Sequence, residues 1–184
     1  YLSSLGSLQL ESAGIKNIGQ IAASTLGVLK TSGNISNTGL IYAGNQLDLK
    51  LDGALSNYGD MVSLGSFAIT NQTEGRVLSI TNNRARIQAG TTLFLNAEQL
   101  SNIGGYSIIE KNLETKVSRH TEAVLESGND MTIDAANLHN KVSRIQSGGD
   151  ITITGDQFNN DRYLQVIRQM NFQPDSYREN LRDD

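Results

Sequence analysis

The sequence of 184 residues contains no cysteine and a single proline, Pro174. Without cysteine the chain can form no disulfide, no thiolate metal site and no cysteine nucleophile. This absence suits a chain that crosses membranes unfolded as well as a cytosolic chain, so it does not decide the compartment. The scarcity of proline fits a fold in which every central strand needs its backbone N–H groups for hydrogen bonding.

Long apolar runs and basic clusters are also missing. No run approaches the roughly 18 apolar residues of a membrane-spanning helix, so we expect no membrane insertion by this segment. The 15 basic residues are outnumbered by 19 acidic ones, and no basic block offers a site for nucleic acid or anionic lipid. The start, YLSSLGSLQL, lacks the basic and apolar regions of a signal peptide. With no initiating methionine, it indicates a segment of a longer protein.

What the sequence does contain is an internal repeat with a step of 20 residues. In its first third, an asparagine, a glycine, an apolar residue and a small residue each recur at this step. The columns are Asn17, Asn37 and Asn57; Gly19, Gly39 and Gly59; Ile21, Ile41 and Met61; and Ala23, Ala43 and Ser63. Near the other end, Met131 and Asn140 recur at the same step as Ile151 and Asn160. A fixed step of this size is typical of solenoid proteins.

The step lengthens twice in the middle of the chain. Phe67 recurs as Leu93 after 26 residues, and Leu93 recurs as Met131 after 38, which predicts insertions of 6 and 18 residues. We therefore expect one repeat domain over residues 1–160, with departures from the repeat at about 70–86 and 103–124. Residues 161–184 leave the pattern and form a C-terminal cap or the start of a next module.

Each repeat consists of short alternating apolar pairs, such as Leu47-x-Leu49 and Ile151-x-Ile153, between corners rich in asparagine and glycine. Alternation bounded by these residues predicts short strands and turns. One coil cannot bury its apolar pairs alone, so stability comes from stacking each strand on its copy in the next coil. The sequence thus predicts an all-β fold, a parallel β-solenoid of about seven coils with about 20 residues per coil.

An asparagine stands at the corner of each predicted coil. Stacked side-chain amides can hydrogen-bond to one another and satisfy polar groups that the bend removes from water. The predicted ladder consists of Asn17, Asn37, Asn57, Asn83, Asn102, Asn140 and Asn160. Glycine often follows two residues later, which suits a positive φ or a close approach of two backbones. Ala85 and Val142 interrupt this glycine column, so we expect less sharp corners there.

The outline x-L-x-L-x-x-x-x-L-x-N-x-G-x-I-x-A/S-x-G, found over roughly residues 5–160, resembles the haemagglutinin repeats of filamentous haemagglutinin-like exoproteins. These proteins are exported by bacterial two-partner secretion systems, and contact-dependent growth inhibition effectors carry the same repeats. The resemblance implies a right-handed β-helix that is secreted or displayed at the bacterial cell surface. It also implies an outer-membrane transporter as the export partner of the full-length protein, and a protein or glycan receptor on a target cell.

Catalysis by an outward face of a β-helix, as in polysaccharide lyases and hydrolases, is the alternative function. Asp130 and Asp150 lie one step apart, where two carboxylates could stack and hold Ca²⁺ or could be plain solvated corner residues. No coil combines a carboxylate cluster with a basic partner. His120 and His139 have no second histidine at ligand spacing. We therefore expect no catalytic residues, no metal and no cofactor, and a chain that is not an enzyme.

The insertion from Ile103 to Val124 mixes charges of both signs with apolar residues. It alternates in places, which predicts two strands that form a flap. Loops that leave a rigid repeat often carry binding, although such a segment can also be a neutral cover for one side of the rod. The candidate receptor-contact residues are Tyr106, Ile108, Ile109, Lys111, Leu113, Lys116 and Arg119.

The tail after Asn160 changes its period. Tyr163, Val166, Ile167 and Met170 recur at helical spacing, and this predicts a helix that caps the last coil. Solenoids need such covers, because an open strand edge pairs with other chains. The alternatives are part of a neighbouring module or a disordered end.

Overall fold

The structure is a computed structural model that describes residues 1–111 and 114–161, with the backbone alone for residues 106–111 and 114–120. Short strands alternate with tight corners throughout these residues, as the apolar alternation predicts. In this part of the chain, no helix is long and apolar enough to cross a membrane. The predicted C-terminal helix falls in residues 162–184 and lies outside the described residues, as do Asn112 and Leu113.

The strands follow one another with few residues between them. In chain order they are β1 (Leu2–Ser4), β2 (Leu8–Ser12), β3 (Ile15–Asn17), β4 (Gln20–Ala23), β5 (Leu26–Thr31), β6 (Ile35–Asn37), β7 (Leu40–Ala43), β8 (Gln46–Leu51), β9 (Ala54–Asn57), β10 (Asp60–Ser63), β11 (Ser66–Thr70), β12 (Val77–Asn83), β13 (Arg86–Ala89), β14 (Leu93–Ile103), β15 (Gly105–Lys111), β16 (Glu114–Thr121), β17 (Val124–Ser127), β18 (Met131–Lys141), β19 (Arg144–Ser147), β20 (Ile151–Thr154) and β21 (Gln157–Asp161).

Nineteen of these strands wind into a parallel β-helix. The coils, numbered along the chain, are coil 1 (β1 to β3), coil 2 (β4 to β6), coil 3 (β7 to β9), coil 4 (β10 to β12), coil 5 (β13 and β14), coil 6 (β17 and β18) and coil 7 (β19 to β21). The first strand of every coil joins one seven-stranded sheet, sheet A. The remaining coil strands form the second sheet, sheet B, and all neighbouring coils pair in parallel. The predicted stack of seven coils is confirmed for the described residues.

The pairing register confirms the steps found in the sequence. Ile41 pairs with Met61 at a step of 20, Met61 with Ile87 at 26, and Ile87 with Leu125 at 38. Leu125 then pairs with Ile145 at 20 again. Both insertions therefore leave the stack of sheet A strands in register.

The core is a set of apolar columns that run along the stack between the sheets. Ile41, Met61, Ile87 and Leu125 form one buried column in sheet A. In sheet B, most strands of coils 2 to 6 bury alternate residues, and their columns include Leu49, Ile69, Leu95 and Ile133. A single coil could not exclude water from these side chains, so burial by neighbouring coils supplies the main stabilisation.

Close approach of two backbones explains the glycine column at the asparagine corners. A Cβ atom added to Gly39 would lie 2.0 Å from the carbonyl oxygen of Gly19, and one added to Gly59 would lie 2.2 Å from that of Gly39. No glycine in the described residues has a positive φ. Of the two reasons that the sequence allowed for glycine, close approach is therefore the one that applies here.

The corners without this glycine turn differently. Arg84 and Val142 adopt a left-handed backbone, each with φ of 51°. Each of these corners also contains one more residue, because Asn82 and Ile87 are five positions apart where the paired Asn57 and Met61 are four apart. The expected relaxation at Ala85 and Val142 thus takes the form of an added residue with a strained backbone.

Candidate functional site: the hairpin and its base

A ladder of asparagine amides, buried in every member but Asn160, runs along the stack at the corner from which the hairpin leaves. The amide nitrogen of each asparagine donates a hydrogen bond to the amide oxygen of the next one, with N···O distances of 2.7 to 2.9 Å. The members are Asn17, Asn37, Asn57, Asn82, Asn102, Asn140 and Asn160. Most of these amide nitrogens also donate to a backbone carbonyl of a following coil, as Asn37 does to Asp60 at 3.2 Å. The ladder therefore satisfies polar groups inside an apolar core.

The prediction of Asn83 as a ladder member is wrong. Asn82 is fully buried and bonds to Asn57 and Asn102, whereas Asn83 is one position out of phase and half-buried. Its neighbour across the sheet is Ile103. Since consecutive strand residues point to opposite faces, the shift of one residue turns Asn83 away from the ladder.

The hairpin consists of β15 and β16, which pair in antiparallel orientation and form a two-stranded sheet of their own. Its register runs from Gly105 opposite Thr121 to Lys111 opposite Glu114. The pairing slips between Ser107 and Ile108, which leaves one extra residue on β16 and forms a β-bulge. The structure therefore forms the two strands that the alternation of this insertion predicts.

The base of the hairpin is held tightly against the coils on both sides. The backbone N–H of Gly104 donates to the carbonyl of Lys141 at 2.8 Å, and that of Val124 donates to Ala85 at 2.9 Å. A Cβ atom on Gly104 would lie 1.8 Å from the carbonyl oxygen of Val142. Only glycine fits this point, so the position where the chain leaves the coil is fixed by backbone contacts.

Three further features hold the base of the hairpin against the rod. Ala123, at the end of the hairpin, is fully buried. The Arg84 guanidinium lies against Gly105, where an added Cβ atom would be 2.1 Å from Arg84 Nε. Glu122 and Arg144 form an exposed ion pair at 3.8 Å, which contributes little to stability. These contacts fix the two ends of the hairpin on the rod.

The strand register divides the candidate receptor-contact residues between the two faces of the hairpin. Alternate residues of a strand belong to the same face. Tyr106 and Ile108 therefore share one face, and Ile109 and Lys111 belong to the other. The pairing adds Lys116 and Arg119 to the second face, opposite Ile109 and Ser107 respectively. The register thus places Tyr106 and Ile108 on one face, and the three basic residues together with Glu114 on the other. Leu113 lies outside the described residues.

Comparison with protein families decides the identity of the repeat. The family model described as Haemagglutinin repeat matches residues 1–73 and 64–169, which together cover all seven coils and the hairpin. The chain belongs to the haemagglutinin-repeat family. No curated protein and no solved structure matches it.

The other insertion in the haemagglutinin repeat is a compact loop, residues 71–76, which the sequence did not reveal as a contact region. Asn71 Oδ1 accepts hydrogen bonds from the N–H groups of Thr73 and Gly75 at 2.9 and 2.7 Å. Residues 77–83, which the sequence placed in the departure at about 70–86, form a strand of coil 4. The departure is therefore shorter than predicted.

Side chains of this loop contact the coils before and after it. Glu74 forms an ion pair with Lys50, and Arg76 donates to Asp134 Oδ1 at 2.7 Å. The hydrogen bond that Lys50 donates to Glu74 raises the pKa of Lys50, and the one that Arg76 donates to Asp134 raises the pKa of Arg76. Sequence reasoning missed these partners because Arg76 and Asp134 are 58 positions apart and share no repeat column.

Of the two aspartates that could mark a cation or catalytic site, Asp130 has a structural role in this haemagglutinin repeat. Asp130 Oδ1 accepts a hydrogen bond from the backbone N–H of Asp150 at 3.0 Å. Asn34 makes the equivalent bond to the N–H of Ala54 at 2.8 Å. His139 bonds to Asp161 at 2.9 Å. Within the described residues, no group of three or more His, Cys, Asp or Glu side chains could hold a metal ion.

Proposed function

We propose that this β-helix is a non-catalytic shaft segment of a large secreted or surface-displayed bacterial exoprotein, and that its hairpin contacts a receptor on a target cell. The observation that carries the proposal is the insertion of the hairpin without loss of register. Asn102 pairs with Asn140, and Ile87 with Leu125, across the 38-residue step. A segment that interrupts the repeat and leaves the core continuous is free to serve recognition.

The shaft part of the proposal is supported by the continuity of the core. The apolar columns and the amide ladder pass through every described coil boundary, and each coil is held by its neighbours. Stacks of this kind are rigid along their axis and extend in length with each repeat. Membership of the haemagglutinin-repeat family is consistent with such an extended exoprotein.

The chemistry of the hairpin suits a protein or glycan surface. The face with Tyr106 and Ile108 offers stacking and apolar contact, and the face with Lys111, Lys116 and Arg119 offers donors and positive charge. In the full-length protein, we propose an outer-membrane two-partner-secretion transporter as the export partner. The target-cell contact would then serve adhesion or contact-dependent growth inhibition.

The test is removal of the hairpin. Deleting residues 105–122 joins Gly104 to Ala123 and leaves Asn102 and Leu125 five positions apart, as Asn82 and Ile87 are. The fold should be retained, with unchanged β content by circular dichroism and an unfolding free energy within about 1 kcal/mol of the parent. Binding of the purified segment to target bacteria or host cells should be lost in a pull-down.

Two full-length variants separate recognition from folding. Replacing Lys111, Lys116 and Arg119 by serine removes three cations from one face of the hairpin and should therefore weaken binding. The unfolding midpoint should not change, because these residues lie outside the coils. Arg76→Ser is the control, since it removes a cation of the loop at residues 71–76 and should leave binding unchanged. Full binding by a folded deletion variant would contradict the role of the hairpin. If the deletion unfolds, the serine variant and its control decide the question.

A further inference from the structure

Two asparagines of the chain stand in the tripeptide Asn-x-Ser/Thr, whose asparagine amide can accept a sugar. They are Asn34, followed by Ile35 and Ser36, and Asn71, followed by Gln72 and Thr73. The tripeptide by itself is a weak signal, because it specifies only two residue types. The surroundings of each amide in the folded chain therefore have to distinguish the two.

Asn71 begins the loop at residues 71–76, which lies between β11 and β12 and outside the strands. Its amide oxygen accepts hydrogen bonds from the Thr73 N–H at 2.9 Å, the Thr73 hydroxyl at 3.0 Å and the Gly75 N–H at 2.7 Å. The backbone N–H of Asn71 donates to the Gly75 carbonyl at 2.9 Å. The loop thus holds the asparagine amide and the hydroxyl of the tripeptide in direct contact, with Thr73 exposed.

The amide nitrogen, Nδ2 of Asn71, is the atom that would carry the sugar, and it is open to solvent. Within residues 1–111 and 114–161, the buried side-chain atoms without a hydrogen-bond partner are Ser63 Oγ and Asn96 Oδ1. Asn71 Nδ2 makes no hydrogen bond in this part of the chain and is not one of these buried atoms. The three bonds to the oxygen also polarise the amide and make its N–H groups more acidic.

Asn34 lies in a different environment, against the following coil. Its amide oxygen accepts a hydrogen bond from the backbone N–H of Ala54 at 2.8 Å. The middle residue of its tripeptide, Ile35, is fully buried and pairs with Ile15 on one side and Leu55 on the other. An enzyme could take up this tripeptide only by opening β6, whereas the tripeptide at Asn71 needs no strand to open.

We propose that Asn71 is a glycosylation site of the folded rod, at which Nδ2 accepts a hexose from a nucleoside diphosphate hexose. In the transfer, Nδ2 forms a bond to C1 of the sugar, and the bond from C1 to the phosphate oxygen breaks. The electron pair of the broken bond leaves with the nucleoside diphosphate, and the proton from Nδ2 goes to a base of the transferase. The Thr73 hydroxyl positions the amide. This site is independent of the role proposed for the hairpin.

A transfer reaction on the purified, folded chain tests the site. The chain is incubated with uridine diphosphate glucose and a bacterial asparagine glycosyltransferase, whose activity is verified on a short acceptor peptide. Peptide mass spectrometry should find the mass of a hexose on the peptide that contains Asn71. Asn71→Gln should abolish this mass, and the matched variant Asn34→Gln should leave it unchanged. Equal transfer to Asn34 and Asn71, or transfer to neither, would overturn the proposal.

Gly75→Ala tests whether the loop geometry, and not the tripeptide alone, makes the acceptor. An added Cβ atom at Gly75 would lie 3.0 Å from Asn71 Nδ2, so this variant should accept less hexose although its tripeptide is intact. Thr73→Val should abolish the transfer and Thr73→Ser should restore it, because serine retains the hydroxyl. Circular dichroism checks that each variant keeps the coils. Undiminished transfer to Gly75→Ala would show that the folded loop does not determine the site.

The protein isolated from the bacterium that produces it provides the second measurement. Its peptide containing Asn71 should carry the added hexose, and its peptide containing Asn34 should not. An unmodified Asn71 in the isolated protein would overturn the proposal, whatever the outcome of the transfer reaction.

Discussion

The asparagine corners of this β-helix turn in two ways. In coils 1 to 3, the next core residue stands four positions after the ladder asparagine, and glycine stands two positions after it. In coils 4 and 6, it takes five positions and contains no glycine, and Arg84 or Val142 has a positive φ instead. The amide ladder has the same hydrogen-bond lengths in both kinds of corner.

This difference explains why glycine occupies the four-position corners. Glycine at a four-position corner lets two carbonyl-bearing backbones approach each other, and its backbone conformation is one that any residue can adopt. An extra residue relieves that approach, at the cost of a left-handed non-glycine residue. At the four-position corners, the space for a side chain therefore restricts which residue fits. At the five-position corners, the left-handed backbone does so. The two limits respond differently to the same kinds of substitution.

The largest expected effect is at a four-position corner. Gly39→Ala places a methyl group 2.0 Å from the carbonyl oxygen of Gly19 and should lower the free energy of unfolding by about 2–3 kcal/mol. Gly19→Ala is the matched control, because no atom lies within 4 Å of its added Cβ. Denaturant unfolding should find no loss for the control. Equal losses for both variants would mean that approach of the backbones is not the reason for glycine.

The next effect concerns the ladder in a five-position corner. Asn82→Ala removes a buried amide between Asn57 and Asn102 and should cost about 1–3 kcal/mol, since both partners lose a hydrogen bond. Asn83→Ala should change stability by about 0.5 kcal/mol or less. Thermal or denaturant unfolding of the two variants compares adjacent asparagines directly. A larger loss of stability for Asn83→Ala than for Asn82→Ala would show that Asn83 is the ladder member.

The smallest effect measures the strain at a five-position corner. At Val142, with φ of 51°, glycine should be more stable than alanine by about 1 kcal/mol, because alanine gains no relief from the left-handed backbone. Ala85, in the other such corner, has no positive φ, and Ala85→Gly should destabilise by about 0.5–1 kcal/mol. The unfolding free energies of Val142→Gly, Val142→Ala and Ala85→Gly decide this. A larger unfolding free energy for Val142→Ala than for Val142→Gly would show that backbone strain does not limit this corner.

Most of the fold could be predicted because it repeats. The step of 20 residues, its two lengthened values and the alternating apolar pairs specified the coils, their register and the hairpin at the second insertion. A repeat is a strong signal because each column must satisfy the same packing many times along the chain.

The misplaced Asn83 shows where this reasoning stops. The first lengthened step contains six extra residues, and their distribution within the coil was not readable from the columns. Thr70 and Ser79 are nine positions apart where the paired Lys50 and Ala54 are four apart, so five of the six lie in the loop before β12. The sixth lies in the corner at Arg84. Asn82 and Asn83 are adjacent, and the distribution of the extra residues places Asn82 in register with Asn57 and Asn102.

The contacts of the loop at residues 71–76 were also beyond prediction. Lys50, Glu74, Arg76 and Asp134 are charged surface residues at unrelated positions in the repeat, and only the three-dimensional stacking brings them together. For the hairpin, alternation predicted strands, but the bulge beside Ile108 sets which residues share a face. Local deviations of this kind occur once in the chain, so the repeat pattern does not reveal them.

The asparagine ladder gives the rod an electrical direction. Every amide nitrogen donates toward the C-terminal side, from Asn17 to Asn37 and onward to Asn160, so the amide dipoles lie head to tail along the axis. Aligned bonds of this kind polarise one another. A coil added after Asn160 must therefore bring an acceptor, and a coil added before Asn17 must bring a donor. Asparagine can do both, whereas an ionised aspartate can accept but not donate and would interrupt the row at any inner position.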